Sequence, residues 1–189
     1  MTLPGLPGFL RLPSLLILLL TRLKLVFSIM SALNGWHPGE RAVHRKLNYT
    51  NDPAVSQLYM YIDGDMPHEH RVFHTTRLPF VPVTTLDDLG RPWGSILAGG
   101  DGKPGFIKSP SDTSLVLDAK VWEGEPLIEN AKLFGRKNQI LVAGIGIEFP
   151  TRRRNKFAGR MSKLSRKEDG SCQLEFIVNQ AIGYGTPIN

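Results

Sequence analysis

The chain has 189 residues, of which 41% are hydrophobic and 21% charged; this suits one ordinary domain with a short extra segment and excludes general disorder. Its single cysteine, Cys172, excludes an internal disulfide and a cysteine-rich zinc site, and points to a reducing, cytoplasmic setting. The formal charge of +6 invites a nucleic-acid partner. However, Arg11, Arg22 and Lys24 all precede Met30, in a stretch without acids. From Met30 onward 20 basic side chains face 17 acidic ones, so the net charge falls to +3, an ordinary value, and no nucleic acid is expected.

Residues 1–30 differ in texture from the rest. The apolar run Ser14-Leu-Leu-Ile-Leu-Leu-Leu-Thr21 is interrupted by Arg22 and Lys24, short of the roughly 18–20 apolar residues that a bilayer span requires. Arg11 and the leucine run form a partial signal peptide without a clear cleavage site. The lack of acids also suits a mitochondrial leader. An over-extended start, with Met30 as the true first residue, is the fourth alternative. Membrane contact is expected only if this segment is native and retained.

After Met30, residues 38–47 read as a helix with Glu40 in its first turn, where a carboxylate complements the helix dipole. Asp52 followed by Pro53 caps a second, short helix, and residues 67–76 suit a third. Residues 80–86 and 91–97 then read as strands around a turn at 87–90. Pro82 and Pro92 place edges or bulges in those strands. Residues 105–108 and 114–118 are short strands. Leu127, Ile128, Ala131 and Phe134 share one side of a helix over 125–134. Residues 139–149 form a long strand whose Gly144 and Gly146 permit strong bending. The last two strands, 156–164 and 172–181, flank a charged hairpin. Strands at this spacing with one interposed helix predict a mainly β chain, a β-barrel with added helices.

Several motifs fail on inspection. Near Gly102 and Lys103 a P-loop would need Gly where Leu97 stands and Ser or Thr where Pro104 stands. Gly144 and Gly146 lack the third glycine of a dinucleotide fingerprint. His68, His70 and His74 are spaced by two and four residues, which does not put all three on one side of an element, so they predict a solvated helix face over a metal site. No nucleophile motif of the G-x-S-x-G type occurs. The strongest local signal is Thr151-Arg-Arg-Arg-Asn-Lys156 between two strands. Alternation there places Arg152, Arg154 and Lys156 on one face and Arg153 on the other. Clustered guanidinium groups match the oxygens of a phosphate monoester bidentately; a solvated basic turn accounts for them equally well.

Taken together, Trp36-His-Pro-Gly-Glu40, Phe73-His74, Leu78-Pro-Phe-Val-Pro-Val-Thr-Thr-Leu-Asp87, Gly90-Arg-Pro-Trp-Gly-Ser-Ile-Leu-Ala-Gly99, the arginine run with Gly159-Arg160, and Val178-Asn-Gln-Ala-Ile-Gly183 resemble, in the same order, the FMN-binding split barrels of the pyridoxamine 5'-phosphate oxidase-like type. The resemblance spans about residues 35–183, so a domain over 31–183 is expected between the leading segment and a tail at 184–189. It implies a six-stranded split barrel, a homodimer and FMN at the subunit interface. It further implies that Trp93, Ser95 and Lys108 meet the cofactor, that Arg152, Arg153, Arg154 and Lys156 hold its phosphate, and that Gln180 lies near the isoalloxazine ring. The tail departs from the family: where relatives continue with Asn-Cys-Pro and then Tyr-Ile, this chain reads Tyr184-Gly-Thr-Pro-Ile-Asn189. An FMN-dependent oxidoreductase acting on a small molecule is the leading expectation, with no catalytic side chain assignable. A non-catalytic flavin-binding or storage protein and a basic nucleic-acid-binding barrel are the alternatives.

Overall fold

The computed structural model describes residues 33–133 and 140–184. The expectations for residues 1–30, Phe134 and positions 185–189 lie outside the described residues. Seven strands are present among the described residues: β1 (Phe80–Leu86), β2 (Pro92–Ala98), β3 (Ile107–Lys108), β4 (Ser114–Lys120), β5 (Ile140–Glu148), β6 (Arg153–Arg166) and β7 (Ser171–Tyr184). They pair antiparallel in the order β2-β1-β5-β6-β7-β4-β3, and a further contact between β2 and β4 closes six of them into a barrel. The chain is therefore mainly β, a barrel with a few helices as its strand spacing predicts, and the barrel is closed, antiparallel and six-stranded, the strand number that the family resemblance implies.

Alternation decides which residues fill the barrel. In β4, Leu115, Leu117 and Ala119 point inward; in β7, Cys172, Leu174, Phe176 and Val178 do so. Each fully buried large side chain contributes roughly 1.5–3 kcal/mol. The ring is closed weakly at one seam, where β2 meets β4 only at Ala98 and Lys120. Both prolines fit this plan. Pro92 is the first residue of β2, and Pro82 lies opposite Ile96, just outside the β1–β5 ladder that begins at Val83. Neither removes a donor that a central ladder needs.

One irregularity matters for function. Ala158 pairs with Gln180 but the adjacent Gly159 pairs with Val178. Asn179 is the extra residue of a β-bulge, which shifts the alternation of β7. After it, Ala181 is buried while Gln180 faces outward.

Four α-helices of the described residues accompany the barrel: α1 (Pro38–Lys46), α2 (Pro53–Ser56), α3 (His68–Thr76) and α4 (Pro126–Ala131). In α1, Glu40 closes a reciprocal cap with His37, and in α2 the Asp52 carboxylate accepts from the Ala54 N–H at 2.9 Å. Helix α4 packs on β1 and β2. Ser95 Oγ accepts from the Leu127 N–H at 3.3 Å, and Asn130 Nδ2 donates to Thr85 Oγ1 at 2.8 Å. These bonds satisfy groups that would be costly to bury alone.

Helix α3 corrects one expectation. His74 is not on a solvated face: it is only 1% exposed, its ring 5.6 Å from Phe73 and 5.5 Å from Phe157 in edge contacts. Gly146 of β5 makes the room, since a Cβ there would fall 2.6 Å from Leu78, 2.8 Å from Phe73 and 3.1 Å from His74 Nδ1. Burial, with His70 and Arg153 nearby, lowers the His74 pKa to about 3, so the ring is neutral.

The β1–β2 turn is held by Asp87. One carboxylate oxygen accepts from the N–H groups of Leu89 and Arg91, the other from Arg91 Nε at 2.7 Å and Trp93 Nε1 at 3.0 Å. The Trp93 bond leads the causes that hold this carboxyl well below the usual range, ahead of the bonds from Arg91 and Leu89. Asp87→Ala leaves four donors without their acceptor, and a melting temperature lower by a few degrees is expected at neutral pH. The difference shrinks as acid titrates the parent's carboxylate. Equal melting of variant and parent at pH 7 would show that water replaces the acceptor without loss.

Candidate functional site on the outer face of the barrel

Outward residues of four neighbouring strands form a concave groove. Pro82 and Thr84 come from β1, Ala143 and Ile145 from β5, Lys156 and Ala158 from β6, and Gln180 and Ile182 from β7, with Ile62 at one side; together they border a cavity of about 420 Å³. The groove exists because Ala143 and Ala158 are small where the neighbouring outward positions are larger. A second hollow of about 320 Å³ shares Thr84, Ala143, Ala158 and Gln180 and continues toward Leu86, Leu141 and Asn179. Both volumes fall at the lower end of small-molecule sites, typically about 300–1,000 Å³.

The lining is mostly apolar with three polar side chains, Thr84, Lys156 and Gln180. Lys156 is the only charged residue bordering the larger hollow, and among the described residues it has no carboxylate within ion-pair distance. Gln180 brings an amide able to donate and accept. Two positions before Lys156 on the same strand face, Arg154 is also exposed, roughly 7 Å away at strand rise. The groove thus has a cationic end and an apolar floor.

The other residues singled out in the sequence are placed differently. Arg152 lies in the turn before β6 with φ 57°, exposed and off the strand face. Arg153 points the opposite way from Arg154, as alternation requires; it donates to the Glu69 carbonyl at 3.2 Å and lies 4.9 Å over the Phe73 ring. Trp93 is bonded to Asp87, Ser95 is buried beneath α4, and Lys108 pairs with Asp118 at 3.3 Å. Of the eight, Lys156 and Gln180 border the groove. Sequence reading missed its apolar floor, because Ala143, Ile145, Ala158 and Ile182 carry no chemical signal alone. The alternation of β5 and β6 could have placed Ala143, Ile145 and Ala158 beside Lys156.

Fold and groove together define a closed six-stranded barrel with a ligand-sized hollow on its outside. In fold the chain is similar to HupZ of Group A Streptococcus, at 11% identity and a TM-score of 0.45 over 62% of this chain and 94% of that one. A point variant of the same HupZ gives a TM-score of 0.44 at 11% identity, over 63% and 99% of the two chains. An F420 reductase gives 0.42 at 11% identity, over 63% and 98%. No family model matches the chain, and neither does a curated protein sequence. Among the described residues no helix is long and apolar enough to cross a membrane.

Proposed function

We propose that the outer groove binds a flavin, specifically FMN, and that the protein is an FMN-dependent oxidoreductase of the pyridoxamine 5'-phosphate oxidase-like type, acting on a small molecule as a homodimer. The observation that carries this reading is the conjunction of an unpaired ammonium, an amide and an aliphatic floor in one hollow. A flavin mononucleotide presents the complementary set: a terminal dianion, a ring edge of donors and acceptors, and a broad planar surface.

The residues fit those demands by role. Lys156, with Arg154 beside it, would meet the phosphate; Gln180 would bond the ring edge; Pro82, Ile145 and Ile182 would cover the ring face. When bound, a flavin supplies hydride and electron transfer, and the protein's part is to hold and orient it and exclude water. The groove is open on its solvent side, and Ile96 and Leu141 on the same barrel exterior are more than 60% exposed. A second subunit laid on this face would cover both and complete the walls.

The test begins with the visible spectrum of the purified chain after incubation with FMN and gel filtration. Oxidised-flavin bands are expected to travel with a dimer-sized peak. Lys156→Gln with Arg154→Gln should weaken FMN by about 10-fold or more, as loss of charge-assisted bonds implies, and leave riboflavin affinity nearly unchanged. Bleaching by NAD(P)H and recovery in air marks an oxidoreductase; bound flavin that never bleaches marks a storage protein instead. Colourless protein that takes up no FMN overturns the assignment.

A further inference from the structure

We infer that a second pocket, formed by α1 and the segment before it, binds a small organic phosphate, independently of the flavin groove. It has a volume of about 470 Å³ and is bordered by Trp36, Arg41, His44, Arg45, Thr50 and Ser56, with Asn34 and Gly35 at its mouth. Arg41, His44 and Arg45 stand at i, i+3 and i+4 of α1, so one helix face presents two guanidinium groups and an imidazole.

The pocket's wall is built and held. Trp36 Nε1 donates to the Ser56 carbonyl at 2.8 Å, and its ring makes edge contacts with His44 at 5.1 Å and Tyr59 at 5.8 Å. These contacts anchor α1 to the α2 region. Thr50 and Ser56 border the same hollow, and a Thr or Ser hydroxyl can donate to an oxyanion.

Charge accounting points to the ligand. Like charges four residues apart on a helix repel by a few tenths of a kcal/mol. No carboxylate borders the pocket, and no carboxylate of the described residues lies within 4.0 Å of either guanidinium. Nor does the remainder of the chain offer a compensating side chain. Residues 1–32, 134–139 and 185–189 contain no Asp or Glu, so all 17 acidic side chains are among the described residues. The leading segment is itself basic and apolar, the wrong complement for this face. Two unpaired arginine forks, two hydroxyl groups and an indole wall match a dianionic oxygen cluster attached to an organic body.

The probe is phenyl phosphate, titrated calorimetrically into the full chain, with phenol and inorganic phosphate as comparison ligands. Saturable binding of phenyl phosphate is expected, weaker for inorganic phosphate and absent for phenol. Arg41→Gln with Arg45→Gln, substitutions that keep helix propensity, should weaken phenyl phosphate at least 10-fold while leaving helix content by circular dichroism and any FMN retention unchanged. Lys156→Gln should do the reverse, so failure here and failure of the flavin reading are told apart. Absence of saturable binding, or binding untouched by the double substitution, overturns the proposal.

Discussion

Gly159→Ala is expected to cost about 3 kcal/mol or more of folding stability, a fall of about 6–12 °C in melting temperature for a chain of this size. At this position in β6 a Cβ would run into the Ile177 carbonyl oxygen of β7, with the carbonyl carbon at 2.9 Å and Val178 Cα at 3.1 Å. These are backbone atoms of a paired strand and cannot rotate aside as a side chain can. The two longest strands would have to separate beside the Asn179 bulge. That bulge is what turns Gln180 outward, so the substitution should also lower flavin affinity. Gly94→Ala on β2 is the control: nothing lies within 4 Å of its Cβ position, and it should melt with the parent or slightly above. Calorimetric scans of the three proteins decide the matter, and coincident melting of Gly159→Ala and parent would remove the close approach from the account.

Acidification is expected to destabilise the protein well before its carboxylates titrate, through His74. The folded pKa, about 3, lies below the ordinary value of 6.5. Between those values the unfolded chain binds the proton and the folded chain does not, so stability falls as pH falls. The contribution is fully present above pH 6.5 and is lost progressively toward pH 3. Linkage gives a loss of about 2.5 kcal/mol between pH 7 and pH 4.5. His70, lowered chiefly by burial and then by Arg153, acts in the same direction; Asp63, raised by burial and by Asp65, acts against it. Urea unfolding across that range should show the slope, and His74→Leu should flatten it even if the variant is less stable at pH 7. A slope that survives the substitution would assign the effect elsewhere.

The His74 result shows why burial escapes a local reading. In α3 the sequence His-Glu-His-Arg-Val-Phe-His is polar enough to suggest solvent. What buries the last histidine is a missing side chain more than seventy residues away, at Gly146. The arginine run was legible in a different way. Strand period two correctly sends Arg153 to one face and Arg154 with Lys156 to the other. It could not reveal that Arg152 would remain in the turn at positive φ, since that depends on how β5 and β6 are joined.

The sequence by itself determined the mainly β class, the barrel and the approximate positions of the strands, because alternating apolar residues, turn glycines and prolines are local signals that any sheet must obey; the count of six strands was implied only by the family resemblance. It also singled out Lys156 and Gln180, which border one groove. Only the tertiary structure decided that Trp93, Ser95 and Lys108 are engaged by Asp87, helix α4 and Asp118, and that a bulge at Asn179 brings Gln180 onto the same exterior as Lys156. Those outcomes depend on register and closure, where residues far apart in the chain compete for the same space and the same hydrogen bonds.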